Sequence, residues 1–70
     1  MSSLKALFGK RVKLFRKRRK MTQLQLAVKV GLTHEQISNI ERGLHGPHFE
    51  AIEKLAQELQ VPVWQLFYFE

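Results

Sequence analysis

Thr22-Gln23-Leu24-Gln25-Leu26-Ala27-Val28-Lys29-Val30-Gly31-Leu32-Thr33-His34-Glu35-Gln36-Ile37-Ser38-Asn39-Ile40-Glu41-Arg42-Gly43 contains one device twice. A helix start needs a side-chain oxygen for its free amides. Thr22 with Gln25 three residues on has the capping-box pattern, and Thr33 with Gln36 repeats it. Leu26, Ala27 and Val30 form the inner face of the first helix, and Ile37 and Ile40 that of the second. Gly31 ends the first helix, because glycine takes the left-handed cap conformation at little cost. Gly43 stops the second. Only Val30-Gly31-Leu32-Thr33 link the two, so they cross steeply instead of lying antiparallel. Ala27 stands where they approach most closely, and a larger side chain there would push them apart. With Ile37 and Ile40 anchored inward, the opposite face of the second helix, with its N-terminal end, projects outward.

The flanks continue the helical periodicity. A helix is predicted from about Ser3 to Arg19, with Leu4, Phe8, Val12 and Phe15 on one face. Gly46-Pro47 marks a turn. A fourth helix follows over about Phe49 to Gln60, with Phe49, Ile52, Leu55, Ala56 and Leu59 inward. Pro62 opens a short fifth helix, where a missing N–H does no harm; Val63, Leu66 and Phe67 would cover the core from below. No period-two alternation suggests a strand, and no linker or repeat divides the chain. The expectation is an all-α, compact five-helix domain over residues 1–70, with a helix-turn-helix at about 22–42.

Charge is distributed unevenly. The 70 residues carry a formal net charge of +6. From Met1 to His34 there are ten Lys/Arg and no acid, whereas Glu35 to Glu70 holds two Lys/Arg and six acids. Such a molecule steers its N-terminal half toward a polyanion, either nucleic acid or an anionic membrane. The apolar-rich stretch Val61 to Phe69 is far shorter than the roughly twenty residues that cross a bilayer. No apolar run follows the basic Lys10 to Lys20, so no signal peptide is read and a cytoplasmic location is expected.

Other chemistries find little support. There is no cysteine. His45 and His48 lie three apart, but no Cys and no inward acid completes a metal set. No nucleophile–base arrangement or glycine-rich phosphate cradle is present, and Glu50 and Glu53 read as solubilising charge on an outer helix face. No enzyme activity, cofactor, metal or small-molecule ligand is expected.

The run Met21 to Thr33, continuing Gln36-Ile37-Ser38-Asn39-Ile40-Glu41-Arg42-Gly43, resembles the Cro/C1-type (phage-repressor, XRE-like) helix-turn-helix family. Pro47-His48-Phe49, Leu55-Ala56, Leu59, Val61, Gly9-Lys10-Arg11-Val12 and Phe15-Arg16 follow its pattern too, so the likeness covers roughly residues 8 to 67. It implies a five-helix, lambda-repressor-like domain that binds double-stranded operator DNA, usually as a homodimer. By position it implies that Gln23 holds a backbone phosphate at the start of the second helix, as free helix amides favour. It places Thr33, His34, Glu35, Gln36 and Asn39 toward the major groove and Arg42 at a phosphate. It matches Arg16 and Glu41 to a salt bridge between the first and third helices. The chain departs from the pattern at Lys20, where glycine is common and a left-handed backbone carries a cost. It departs again at Leu24 and Leu44, where polar residues are usual, at His48, which replaces the usual Ser/Thr/Asp cap, and at Glu35, an acid facing a polyanion.

Most of these positions admit a second reading. His34 could meet a guanine or phosphate, or stand idle at the helix start. Glu35 could accept from cytosine N4 or simply suit the helix dipole. Asn39 could pair bidentately with adenine or be solvated. Gln23 and Gln36 also have capping or solvent roles, and Arg42 suits a helix C-terminus in any case. Lys17-Arg18-Arg19-Lys20 is either a solvated face or an electrostatic footprint; the absence of acids favours the latter, with Arg18 and Lys20 at phosphates.

Trp64, Phe67, Tyr68 and Phe69 crowd the C-terminal end. Phe67 is the core candidate among them. The others form either a homodimer interface centred on Trp64 and Tyr68 with Phe67, or a tail folded on its own core. Three functions of different class compete: a sequence-specific transcriptional regulator, an antitoxin-like interaction module using the aromatic tail, and a membrane-surface binder using the basic first helix. The last predicts Trp near the basic stretch, and Trp64 lies at the opposite end.

Overall fold

The computed structural model describes residues 3–69. Its regular elements are all helical: α1 (Leu4–Arg18), α2 (Gln23–Val30), α3 (His34–Glu41), α4 (Phe49–Leu59) and a 3-10 helix, Val63–Phe67. Each α-helix begins on a side-chain cap. Ser3 accepts from the Ala6 amide, and both threonines close complete capping boxes with Gln25 and Gln36. His48 caps α4 through Nδ1, 3.3 Å from the Ala51 amide. An imidazole nitrogen that accepts is unprotonated, so this contact places the proton on Nε2.

The helix ends share a second device. Each α-helix is followed by a residue with positive φ: Lys20 (56°), Gly31 (75°), Gly43 (76°) and Gln60 (60°). The next amide then reaches back to an orphan carbonyl, Met21 to Arg16, Leu32 to Ala27, Leu44 to Asn39 and Val61 to Ala56, at 2.9–3.2 Å. This is the Schellman type of helix end, which favours an apolar residue after the left-handed one. Met21, Leu32 and Val61 pack at the margin of the core. Two of the four left-handed positions are therefore not glycine.

The core gathers Phe8, Val12 and Phe15 of α1, Leu26, Ala27 and Val30 of α2, Ile37 and Ile40 of α3, Leu55, Ala56 and Leu59 of α4, and Leu66. At about 25 cal/mol per Å2 of apolar surface, burial of such side chains is the main favourable contribution to folding. Gly9 brings α1 against the end of α3, where an added Cβ would lie 2.2 Å from the Ile40 carbonyl oxygen. Gly43 is close against Ala6 as well, at 2.8 Å from an added Cβ to the Ala6 Cα.

Three expectations are corrected. The fifth helix is a 3-10 turn rather than an α-helix: five residues after Pro62 suffice for an i→i+3 bond, Gln65 amide to Pro62 carbonyl at 3.0 Å, but not for a stable α-helix. Leu4 and Phe49, expected inward, are 61% and 85% exposed, because each is the first residue of its helix and extends past the packed part of the face. Of the side chains expected to close the core from below, only Leu66 is buried; Val63 is largely exposed, and Phe67, 38% exposed, lies against Phe8 at a ring separation of 5.0 Å.

Candidate nucleic-acid interface

The centre of the site is the ion pair Arg16–Glu41, which ties α1 to the last residue of α3. Arg16 Nε donates to Glu41 Oε2 at 2.6 Å and an Arg16 terminal nitrogen to Oε1 at 3.1 Å. The other terminal nitrogen donates to the Met21 carbonyl at 2.7 Å. Both residues are buried. A buried pair needs such complete hydrogen bonding to offset desolvation.

From Glu41 the network runs outward. Gln23 Nε2 donates to Glu41 Oε1 at 3.0 Å, and Gln23 Oε1 lies 3.0 Å from His34 Nε2. Since that amide oxygen only accepts, His34 carries a proton on Nε2 there. The first side chain of α3 is thus joined to the buried ion pair through the first side chain of α2. Gln23 is half-buried in this linkage, and its side chain is engaged within the protein.

On the outer side of α3, Glu35 and Gln36 are exposed, while Asn39 is half-buried one turn after Glu35. Gln36 spends its oxygen on the Thr33 amide, and Thr33 Oγ1 accepts from the Gln36 amide. Arg42 donates to Asn39 Oδ1 at 2.8 Å. Glu35, Gln36 and Asn39 line one side of a cleft whose other wall is His45, Gly46, Pro47 and His48.

Arg18 and Lys20, at the C-terminal end of α1 and just after it, are exposed, with the Arg18 guanidinium 5.5 Å from the Phe15 ring centroid. Arg11, counted in the basic run, does something else. Its Nε and a terminal nitrogen donate to the Gln65 carbonyl and Gln65 Oε1, both at 2.9 Å. Its guanidinium also lies 4.7 Å from the Phe15 ring centre and 5.6 Å from that of Tyr68. Sequence reasoning missed this clasp. A cation spaced off the apolar stripe of α1 carries no sign of a partner 54 positions away. It also missed the close approach at Gly9, for which a glycine inside an amphipathic helix was the available signal.

Of the C-terminal aromatics, Trp64 (60% exposed) and Tyr68 (49%) pack edge to face with ring centres 6.3 Å apart. Phe67 meets both Phe8 and Phe69. The tail is therefore held to α1 at Phe67, Gln65 and Tyr68 while still presenting Trp64 outward.

A helix-turn-helix family model matches residues 12–63. This chain belongs to the helix-turn-helix family. Among curated relatives, the immunity repressor protein of Bacillus phage phi105 is 40% identical over 55 residues, 79% of this chain and 38% of that protein. The chain spans only 38–46% of the length of four such relatives from Bacillus and its phage. Among solved structures, the restriction-modification controller protein C.AhdI of Aeromonas hydrophila superposes with a TM-score of 0.86 at 30% identity, covering 90% of this chain and 96% of the other. SinR of Bacillus subtilis, a master regulator for biofilm formation solved in complex with DNA, gives 0.82 at 34% identity, covering 87% and 98%. In this helix-turn-helix, no described helix is long and apolar enough to cross a membrane.

Proposed function

We propose that this chain is a sequence-specific, double-stranded DNA-binding transcriptional regulator, a repressor or controller protein that reads an inverted-repeat operator with α3 in the major groove. The observation that carries this is the placement of α3. It packs against the acid-free, basic α1 with its outer side chains exposed, and its two ends are fixed by a capping box and a buried ion pair. A reading helix must be positioned by contacts that carry no sequence information, and phosphates provide them. The free backbone amides at the start of α2, at Gln23, and the side chains of Arg18, Lys20 and Arg42 take that role. Thr33, His34, Glu35, Gln36 and Asn39 face the base edges. The DNA-bound structure of SinR and the repressor name of the phi105 relative support the reading. A cytoplasmic location accords with it.

A homodimer through Trp64, Phe67 and Tyr68 would set two copies of α3 about one DNA turn, ~34 Å, apart. The exposed Trp64–Tyr68 pair also favours a second reading, an antitoxin or other protein-interaction module in which this end meets a different protein. Selection from a random duplex library at near-physiological salt tests the first reading. It predicts an inverted-repeat motif. Salt-sensitive binding without any motif would refute sequence reading and turn attention to protein partners of the aromatic end.

A further inference from the structure

The Asn39–Arg42 contact fixes what kind of base α3 can read at that position, an inference that rests on the DNA-reading function proposed above. Arginine has donors and no acceptor. The atom of the Asn39 amide that faces Arg42 at 2.8 Å is therefore the oxygen, Oδ1. This exposed contact takes one of the two acceptor positions of Oδ1 and turns the oxygen toward Arg42, while the donor end, Nδ2–H2, has no partner among the described residues. An uncommitted asparagine matches adenine with both ends, accepting from N6 and donating to N7. An asparagine whose oxygen is drawn toward Arg42 and whose amide hydrogens are free is biased toward guanine, whose N7 and O6 both accept. Thymine offers one acceptor, O4, and adenine one, N7, beside an amino group that the donor cannot use, whereas cytosine offers only an amino group.

We propose that Arg42 is a positioning residue for specificity: by drawing Asn39 Oδ1 toward itself it biases the Asn39 contact from adenine toward guanine. The arrangement is local, since the two residues lie one turn apart at the C-terminal end of α3, and Arg42 is its C-cap. Its side chain is exposed, so shortening it leaves the core untouched. Glu35, one turn before Asn39, is acceptor-only and complements it, so that successive turns of α3 would present opposite hydrogen-bonding character.

The test begins with the motif selected by the wild-type protein. Asn39→Ala identifies the base pair that Asn39 reads, as the column whose preference collapses. Affinities are then measured by fluorescence anisotropy for duplexes carrying each of the four bases there. Wild type should rank guanine first. Changing guanine to adenine should weaken binding about tenfold, within the range of one good base contact. Arg42→Ala should lower affinity for every duplex by loss of a cation, yet bring the guanine-to-adenine ratio to parity or invert it, because Oδ1, no longer drawn toward Arg42, is free to turn toward adenine N6. Wild type ranking adenine first would overturn the proposal without using any variant. So would an Arg42→Ala protein that keeps the guanine preference while weakening uniformly, which would leave Arg42 a phosphate contact alone. Absence of any motif would instead bring down the DNA-reading function itself.

Discussion

Gly9 lies so close to Ile40 that a single methyl group at Gly9 would overlap the Ile40 carbonyl oxygen, at 2.2 Å, and approach the Glu41 carbonyl at 2.8 Å. Both are backbone atoms at the end of α3 and cannot swing aside as a flexible side chain would. In an isolated helix, Gly→Ala gains about 1 kcal/mol of propensity. Here overpacking opposes it with about 1–3 kcal/mol or more. Gly9→Ala should therefore lose stability on balance, and since 1 kcal/mol is worth about 4–8 °C in a domain of this size, melting by circular dichroism resolves it. An unchanged or raised melting temperature would mean that α1 and α3 do not meet as described.

Removing one member of the Arg16–Glu41 pair leaves the other charge buried without its partner. Arg16→Ala and Glu41→Ala should each cost about 3–5 kcal/mol, a large part of the stability of a small domain. Arg16→Met combined with Glu41→Leu should recover much of that loss, since neither charge is then stranded. Denaturant melts of Arg16→Met, Glu41→Leu and the double measure the coupling directly. Additive losses would place the pair in water.

Lys20 and Gln60 occupy left-handed positions that glycine enters without a Cβ penalty. Lys20→Gly and Gln60→Gly should each stabilise by about 0.5–1 kcal/mol: the relief of about 1–2 kcal/mol of strain outweighs the added freedom of the unfolded chain. Only Lys20→Gly should also flatten the dependence of log K on log salt, by about 0.9 if Lys20 neutralises one phosphate. Equal salt slopes for both variants would remove Lys20 from the DNA footprint.

Trp64→Ala with Tyr68→Ala separates the two readings of the aromatic end. If these residues join two copies of the chain, sedimentation shows a dimer for the parent and a monomer for the double variant. A monomer in both cases would leave the pair free for another partner. Arg11→Ala should loosen the same segment from α1, seen as faster amide exchange at Gln65 and Leu66.

Much of the fold was legible because its signals are local. Thr22/Gln25 and Thr33/Gln36 announce helix starts within four residues, Gly31 and Gly43 announce ends, and the apolar spacing of Val12, Leu26, Ile37 and Leu55 marks the core faces. The errors lie where periodicity says too little. Leu4 and Phe49 obey the stripe but sit at helix starts with nothing packed beyond them. Residues 63–67 are too few to distinguish an α-turn from a 3-10 turn. In the candidate site, the positions on α3 followed from the helix-turn-helix pattern. The links Gln23–His34 and Asn39–Arg42 did not, because hydrogen bonds between long polar side chains depend on how helices are placed and leave no period in the sequence.

The central claim is that α3 reads base sequence with its outer side chains. It is tested most directly by the ratio of affinities for the selected duplex and a scrambled duplex of equal length, measured for wild type and for His34→Ala combined with Asn39→Ala. The account predicts that the variant keeps its fold and its affinity for scrambled DNA to within a few-fold, while the ratio collapses toward one. A ratio that survives both substitutions would contradict it and assign specificity to another surface.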